Sequence, residues 1–224
     1  PGQKNWSYKD VDVLSSLFVS YLDSIGLKKG DRIISQTEKS VASIGLYLAC
    51  LRMGVIFTPL NTSYTLSEVE YFIGNIEPKL FVCSPDKYQA TSPIFEKYSV
   101  PNHRALGSSD DDPFLKEILE LKENNIIENC SDDDTAAILF TSGTTGKSKG
   151  AMITHGNLSS NAFALKESWD FTENDTLLHA LPTFHVHGLF VALHTAFLSA
   201  SKIIFLEKFD IAEINKNLKN STVM

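Results

Sequence analysis

Short apolar runs alternate with amphipathic segments along most of the chain. The runs at residues 33–34, 55–60 and 80–83 carry the branched and aromatic side chains that are typical of buried strands. Segments with apolar positions at helical spacing separate these runs, at about the length of a strand–helix–strand crossover unit. The pattern predicts an α/β fold with mostly parallel sheets and helices on both faces.

Residues that favour the ends of helices locate the helices in the first half of the chain. Residues 11–22 carry apolar positions at helical spacing and are closed by Gly26. A second helix is predicted over 40–53 and ends at Gly54, and a capping-box sequence at 65–68 opens a third helix. The second and third of these helices lie between the predicted strands, as crossover helices of a parallel sheet would.

The second half repeats the alternation. Its predicted elements are strands at 136–140, 176–181 and 203–206, helices over 188–198 and 211–218, and a helix that begins with Asn157 as its N-cap.

The periodic pattern weakens between the two halves, where residues 107–113 are typical of an exposed loop and 114–122 of a short helix. We therefore predict a first α/β subdomain over 1–105, a connecting region over 106–134 and the start of a second α/β subdomain over 135–224. The chain has no initiator Met, and its last five residues are typical of the start of an apolar strand. We expect a chain that is cut at both ends.

The amino-acid composition limits the classes of protein to which the chain can belong. The 224 residues are 43% hydrophobic and 21% charged, as in ordinary soluble globular proteins, and the net charge of −7 argues against a nucleic-acid partner. The three cysteines are widely spaced and match neither a disulfide framework nor a zinc site, which favours a reducing cytoplasmic location. No signal peptide is evident, and the longest uncharged stretch, 188–201, is shorter than the roughly 20 residues of a transmembrane helix.

The most informative stretch is the loop at 141–150, TSGTTGKSKG, which follows the apolar run at 136–140. Its three glycines allow close backbone approach, and its hydroxyls, main-chain N–H groups and two lysines suit a polyphosphate. A Walker A loop would need glycine five residues before Gly146, where the chain has Thr141. The spacing predicts a strand, the loop and a second strand.

Two further groups of residues are candidates for chemistry. His185 and His187 lie at the end of a predicted strand and would share a face if the chain is extended there, but no nearby residue completes a zinc site. The acidic triplets at 110–112 and 132–134 lack the alternating spacing of a calcium loop and are interpreted as solvated charge. For His103, His179 and His194, packing is the simplest interpretation.

Both motifs resemble those of a known superfamily. The loop resembles the signature TSGTTGxPKG of the adenylate-forming enzymes, which include acyl-CoA synthetases, luciferases and peptide-synthetase adenylation domains, with Ser148 in place of the proline. The segment 181–190 resembles the PxFHxxG segment of acyl-CoA synthetases, in which His185 is the matching histidine. Within this family, residues 38–40, 59–61, 64–66 and 185–189 look most like malonyl-CoA synthetases.

The resemblance implies a function and a set of site residues. A carboxylate would attack the α-phosphate of ATP to form an acyl-adenylate and pyrophosphate, and CoA would then displace AMP, with Mg²⁺ as the metal ion. Lys149 and His185 would be the catalytic residues, and His185 would also face the carboxylate substrate. For His187 two interpretations stay open: it donates to a dicarboxylate substrate, or it simply packs. The residues that would hold the phosphates of ATP are Thr141, Ser142, Gly143, Thr144, Thr145, Gly146 and Lys149.

The resemblance also implies that several parts lie beyond Met224, including the adenine motif, the Mg²⁺-binding glutamate and a late catalytic lysine. We therefore expect that the 224 residues alone do not catalyse adenylation. The alternative function is a non-catalytic nucleotide- or phosphate-binding domain. A P-loop NTPase is disfavoured by Thr141.

Overall fold

The computed structural model describes residues 5–141 and 148–224. Their contacts divide into two compact units. Unit 1 takes in the described residues up to Cys130 and those from Asp134 to Met152, and unit 2 takes in Ser131–Asp133 and Ile153–Met224. Contacts therefore divide the chain near residue 152, whereas the sequence pattern placed a boundary at 134–135.

Unit 1 is built on a six-stranded sheet. Its strands, in the spatial order β4-β3-β1-β2-β5-β6, are β1 Arg32–Gln36, β2 Ile56–Pro59, β3 Leu80–Cys83, β4 Asn102–Ala105, β5 Thr135–Thr141 and β6 Lys149–Thr154. The pairs β1–β2, β1–β3, β3–β4 and β2–β5 are all parallel. The predicted α/β class with a mostly parallel sheet is confirmed. The pairing of β5 with β2 also explains the division near residue 152, because hydrogen bonds hold β5 in the first sheet.

Five helices of unit 1 are described: α1 Tyr8–Ser24, α2 Val41–Met53, α3 Leu66–Ile76, α4 Pro85–Lys97 and α5 Pro113–Leu119. The predicted ends of α2 are confirmed, with a capping box at Ser40 and a left-handed Gly54 at φ 63°. Thr65 and Glu68 form the predicted capping box of α3. These ends are set by local side-chain and main-chain hydrogen bonds, which is why the sequence pattern located them.

Two elements of unit 1 were not predicted, namely α4 and β4. Helix α4 contains Pro93, and few of its side chains are buried, so its apolar periodicity is weak. The one local signal is Pro85 at the first helical position, where proline is well tolerated. Every residue of β4 is only half-buried, as expected for a strand at the edge of a sheet.

Helix α3 closes over a buried core of unit 1. Phe72 and Ile73 from this helix pack with Ile34 and Phe81 of the sheet. Half-buried Tyr71, Ile138 and Phe140 pack against the same core. The helix that follows β2 therefore lies beside β5, the strand that leads into the glycine-rich loop.

Unit 2 contains a parallel pair of strands and several helices. Its elements are α6 His155–Ser168, β7 Thr176–His179, a π-helix His187–Leu193, α7 His194–Leu198, β8 Lys202–Phe205, α8 Ile211–Asn217 and a 3₁₀ turn Leu218–Asn220. Val223 forms a parallel bridge with Leu177, so the last residues do extend as a strand would.

The predicted N-cap of α6 is wrong. Thr154 is the N-cap, and Asn157 is the third helical residue, whose side chain accepts the Thr154 main-chain N–H at 3.1 Å. Both residues are good caps, and the reciprocal bonds of the capping box favour the earlier start.

Over residues 5–141 and 148–224, the chain has no helix that is both long enough and apolar enough to cross a membrane.

Candidate active site

The strand before the glycine-rich loop and the strand after it are neighbours in the sheet. β5 ends at Thr141 and β6 begins at Lys149, as the strand–loop–strand prediction required. The Thr141 hydroxyl donates to the main-chain carbonyl of Lys149 at 3.5 Å, and both residues are exposed. The predicted phosphate-binding residues Ser142, Gly143, Thr144, Thr145 and Gly146 lie outside the described residues.

Below the loop, the two strands pack closely at a glycine. A Cβ atom on Gly150 would lie 2.9 Å from the γ2 methyl of Ile138 and 3.7 Å from the ring of Phe140. The first distance is shorter than carbon atoms tolerate, and a β-branched side chain is stiff. Glycine at 150 therefore permits the contact between β6 and the Ile138 side chain.

Helix α3 contacts both strands next to the loop. The rings of Phe72 and Phe140 have centroids 4.3 Å apart, which fixes the end of β5. The Tyr71 hydroxyl donates to the main-chain carbonyl of Ser148 at 2.9 Å, one residue before Lys149. Sequence reasoning did not find Tyr71, because no local pattern relates a helix residue to a loop 77 positions later.

The histidine segment of unit 2 forms a turn between β7 and the π-helix. His185 and His187 are exposed, and their rings stack with centroids 5.4 Å apart and planes 21° apart. The main-chain N–H of His187 donates to Nδ1 of His185 at 3.2 Å. The two imidazoles are brought together, but by a turn and not by the extended chain that the sequence interpretation assumed.

The hydrogen bond to Nδ1 fixes the tautomer of His185. A nitrogen that accepts an N–H carries no proton, so a neutral His185 bears its proton on Nε2. The side chain therefore offers one N–H donor. Such a donor suits an anionic oxygen.

A close backbone approach shapes this turn. The carbonyl oxygen of Pro182 lies only 2.1 Å from the position that a Cβ atom on Gly188 would occupy. The main-chain N–H of Leu189 donates to the His185 carbonyl at 3.0 Å, which begins the helix. Any residue other than glycine at 188 would displace the segment that carries the two histidines.

Comparison with known proteins identifies the family. The model of the AMP-binding enzyme family matches residues 1–223. The chain belongs to the AMP-binding enzymes. It is 30% identical over 211 residues to the malonate–CoA ligase of Arabidopsis thaliana, covering 89% of this chain and 33% of that protein.

Solved structures agree with this assignment. The chain is 41% identical to apo MatB from Rhodopseudomonas palustris, with a TM-score of 0.92 over 98% of this chain and 43% of that chain. The ATP-bound form of MatB gives 42% identity and a TM-score of 0.91, over 96% and 42% of the two chains. The chain thus spans between a third and about two-fifths of the length of these relatives.

In this AMP-binding chain the candidate residues fall into two groups. Thr141 and Lys149 belong to unit 1, and His185 and His187 belong to unit 2. Each pair is brought together within its own unit.

Two buried polar side chains lie near the carboxyl end of β1: Gln36, its last residue, and Lys39, in the segment 38–40 that resembles malonyl-CoA synthetases. Lys39 is buried, and burial lowers the pKa of its ammonium group to about 7. The Gln36 side-chain amide donates to the main-chain carbonyl of Asn61 at 3.0 Å, which ties the end of β1 to the chain after β2. The sequence interpretation gave Lys39 no role.

His103 and His194 pack against aromatic rings. His103 stacks on Phe95 with ring centroids 4.7 Å apart, and His194 lies 5.7 Å from Phe190. Burial lowers the pKa of the His194 imidazole to about 4, so it is neutral over most of the physiological range.

Residues 5–141 and 148–224 contain no group of three or more histidine, cysteine, aspartate or glutamate side chains that could hold a metal ion. At least one carboxylate of each acidic triplet has a structural role: Asp134 pairs with Lys29 at 2.7 Å, and Asp112 caps α5 through the Leu115 N–H. Asp112 is buried, so the interpretation of this triplet as solvated charge is wrong for this residue. Burial raises the pKa of the Cys83 thiol to about 11, so it is protonated at neutral pH.

Proposed function

We propose that this protein is an ATP-dependent carboxylate–CoA ligase that forms an acyl-adenylate and then an acyl-CoA, and that its carboxylate is malonate. One observation carries the proposal. Two strands of one sheet end and begin at Thr141 and Lys149 around a glycine-rich loop, in a chain 42% identical to an ATP-bound relative.

The loop would bind the phosphates of ATP. Main-chain N–H groups and hydroxyls from Thr141, Ser142, Gly143, Thr144, Thr145 and Gly146 supply neutral donors to the β- and γ-phosphates. The Lys149 ammonium group adds a positive charge beside them, where negative charge accumulates on the departing pyrophosphate. The protein forms no covalent bond in this step. It accelerates the step by positioning the reactants and by stabilising the developing charge.

His185 and His187 would face the carboxylate substrate. His185 offers Nε2–H as a donor, because its Nδ1 already accepts a main-chain N–H. His187 stacks beside it and is exposed. Two neighbouring imidazoles can hydrogen-bond a dicarboxylate such as malonate more strongly than a monocarboxylate, because the second carboxylate supplies additional acceptors.

Magnesium would enter with ATP as the counterion of its phosphates. The described residues contain no cluster that fits a metal ion, so we assign no ligand of this chain to it. CoA would act as the second substrate, and its thiol would attack the adenylate carbonyl.

A second candidate is a domain that binds a nucleotide or phosphate without turnover. It would use the same strands, which end and begin at Thr141 and Lys149, but would bind ATP without releasing pyrophosphate. We also infer that the 224 residues alone do not release pyrophosphate. We infer that the protein acts in the cytoplasm. In the whole enzyme, we infer that a second subdomain begins at residue 135.

The function is tested with the full-length protein and a panel of malonate, methylmalonate, acetate and a long fatty acid. Pyrophosphate release and acyl-CoA formation are measured with each acid in the presence of ATP, Mg²⁺ and CoA. We expect malonate to give the highest kcat/KM. ATP binding without pyrophosphate release, whichever acid is supplied, would favour the binding domain instead.

A further inference from the structure

Two adjacent residues of α3 contact the chain just before and just after the segment 142–147. Phe72 packs on Phe140 at the end of β5, and Tyr71 donates its hydroxyl hydrogen to the Ser148 carbonyl just before β6. The helix therefore contacts the entry and the exit of the segment 142–147. The family motif accounts for neither contact.

Tyr71 is held firmly where it makes this bond. Its ring is half-buried and lies edge-on to Phe72, with centroids 5.6 Å apart, and 6.4 Å from the ring of Phe140. The next two residues of the helix, Phe72 and Ile73, are buried in the core of unit 1. A side chain on a helix anchored in this way presents its hydroxyl at a fixed position.

The acceptor is also at a sensitive place. Ser148 directly precedes Lys149, and its carbonyl is part of the main chain, so the bond restrains the backbone on which the Lys149 side chain is mounted. A lysine side chain on a restrained backbone loses less conformational freedom when it binds an anion.

We propose that Tyr71 is a positioning residue for ATP binding, acting through the main-chain carbonyl of Ser148 on the adjacent Lys149. This inference rests on the proposed function, because it takes ATP as the ligand of the loop. Tyr71 itself does not need to touch the nucleotide.

The test compares Tyr71→Phe with wild type in the full-length protein. The substitution removes the hydroxyl and keeps the ring that packs on Phe72. We expect the Kd for ATP and the KM for ATP to rise about three- to tenfold, the effect of one neutral hydrogen bond. The KM values for the carboxylate and for CoA are expected to stay within about twofold of wild type.

Tyr64→Phe is the matched control. The Tyr64 ring also packs on Phe72, with centroids 5.0 Å apart, and belongs to the same aromatic group, but its hydroxyl does not bond Ser148. We expect Tyr64→Phe to bind ATP as wild type does. Tyr71→Leu, which also removes the ring, should lower the Tm while raising the Kd for ATP at least as much as Tyr71→Phe.

The possible results distinguish a failure of the role of Tyr71 from a failure of the proposed ligase activity. Equal ATP affinity in Tyr71→Phe and wild type, or the same loss in Tyr64→Phe, would overturn the role of Tyr71. A rise in all three KM values together would mean a general structural effect and would also overturn it. A wild-type protein that binds ATP but activates no carboxylate would refute the ligase and leave the Tyr71 comparison valid, because ATP binding is measured directly.

Discussion

The imidazole Nε2 of His179 and the main-chain carbonyl oxygen of Gly188 lie 2.9 Å apart. A carbonyl can only accept, so Nε2 carries the proton of this buried side chain. The bond joins the end of β7 to the start of the π-helix, and the segment with His185 and His187 lies between these two points. The His179 ring also stacks on Phe205, with planes 8° apart.

Removal of this donor should destabilise unit 2. His179→Phe keeps a flat ring against Phe205 but removes the hydrogen bond to the carbonyl of buried Gly188, at a cost of about 0.5–1.5 kcal/mol in the free energy of unfolding. Urea unfolding followed by hydrogen exchange at residues 188–190 measures the change. Gln retains an N–H donor, so His179→Gln should lose less; equal stability of the Phe variant and wild type would contradict this account.

Gly150→Ala should destabilise unit 1, because the new methyl group would lie 2.9 Å from the γ2 methyl of Ile138. Overpacking of this kind costs roughly 1–3 kcal/mol. Leucine has no γ2 methyl and nearly the same volume as isoleucine, so Ile138→Leu should restore most of the stability in the double variant.

The control for that pair is Ile138→Val, which keeps the γ2 methyl. A double-mutant cycle from thermal unfolding should give favourable coupling for leucine and little for valine. The same coupling for both would show that the contact with the γ2 methyl is not the cause.

Lys149→Ala in the full-length protein should lower the rate of carboxylate-dependent pyrophosphate release at least about 100-fold, as expected when a charge beside the leaving group is lost. Lys147→Ala is the comparison, since position 147 is the variable site of the family signature; we expect a fall of less than about tenfold. The two rates are measured by coupled pyrophosphate assay at saturating ATP. A larger loss for Lys147→Ala would reverse the assignment.

His187→Ala should change the choice of acid more than the rate of adenylation. If His187 donates to the second carboxylate of malonate, the ratio of kcat/KM for malonate to that for acetate should fall about tenfold or more. His103→Ala, at a histidine that stacks on Phe95, serves as the control. An unchanged ratio in His187→Ala would remove this residue from the substrate site.

The stability of the protein should rise as the pH rises through the range set by Lys39. Burial lowers the folded-state pKa of this lysine from 10.5 to about 7, so between these values the unfolded chain binds more protons than the folded chain. The contribution is complete above pH 10.5, decreases as the pH falls and is lost below about 7. Within the window the slope is at most about 1.4 kcal/mol per pH unit.

Lys39→Met tests this pH dependence, because methionine fills a similar volume and does not titrate. The free energy of unfolding of the variant should change less between pH 7 and 10 than that of wild type. Parallel curves for the two proteins would show that Lys39 does not cause the dependence.

Features that depend on local chemistry can be predicted from the sequence. The α/β class, the ends of α2 and α3 and the strand–loop–strand around 141–150 follow from apolar periodicity, capping residues and glycine. Helix α4 escaped prediction because Pro93 and its polar surface hide the periodicity. The N-cap of α6 was misplaced because Thr154 and Asn157 are both suitable caps.

Contacts between residues that are far apart in the sequence depend on the tertiary structure. The pairing of β5 with β2 places the strand before the loop in the first sheet, and the contact of Tyr71 with Ser148 joins residues 77 positions apart. The stacking of His185 and His187 follows from the turn that Gly188 permits and not from their spacing. Such contacts depend on how the core packs, and packing is a property of the whole unit that no short stretch of sequence encodes.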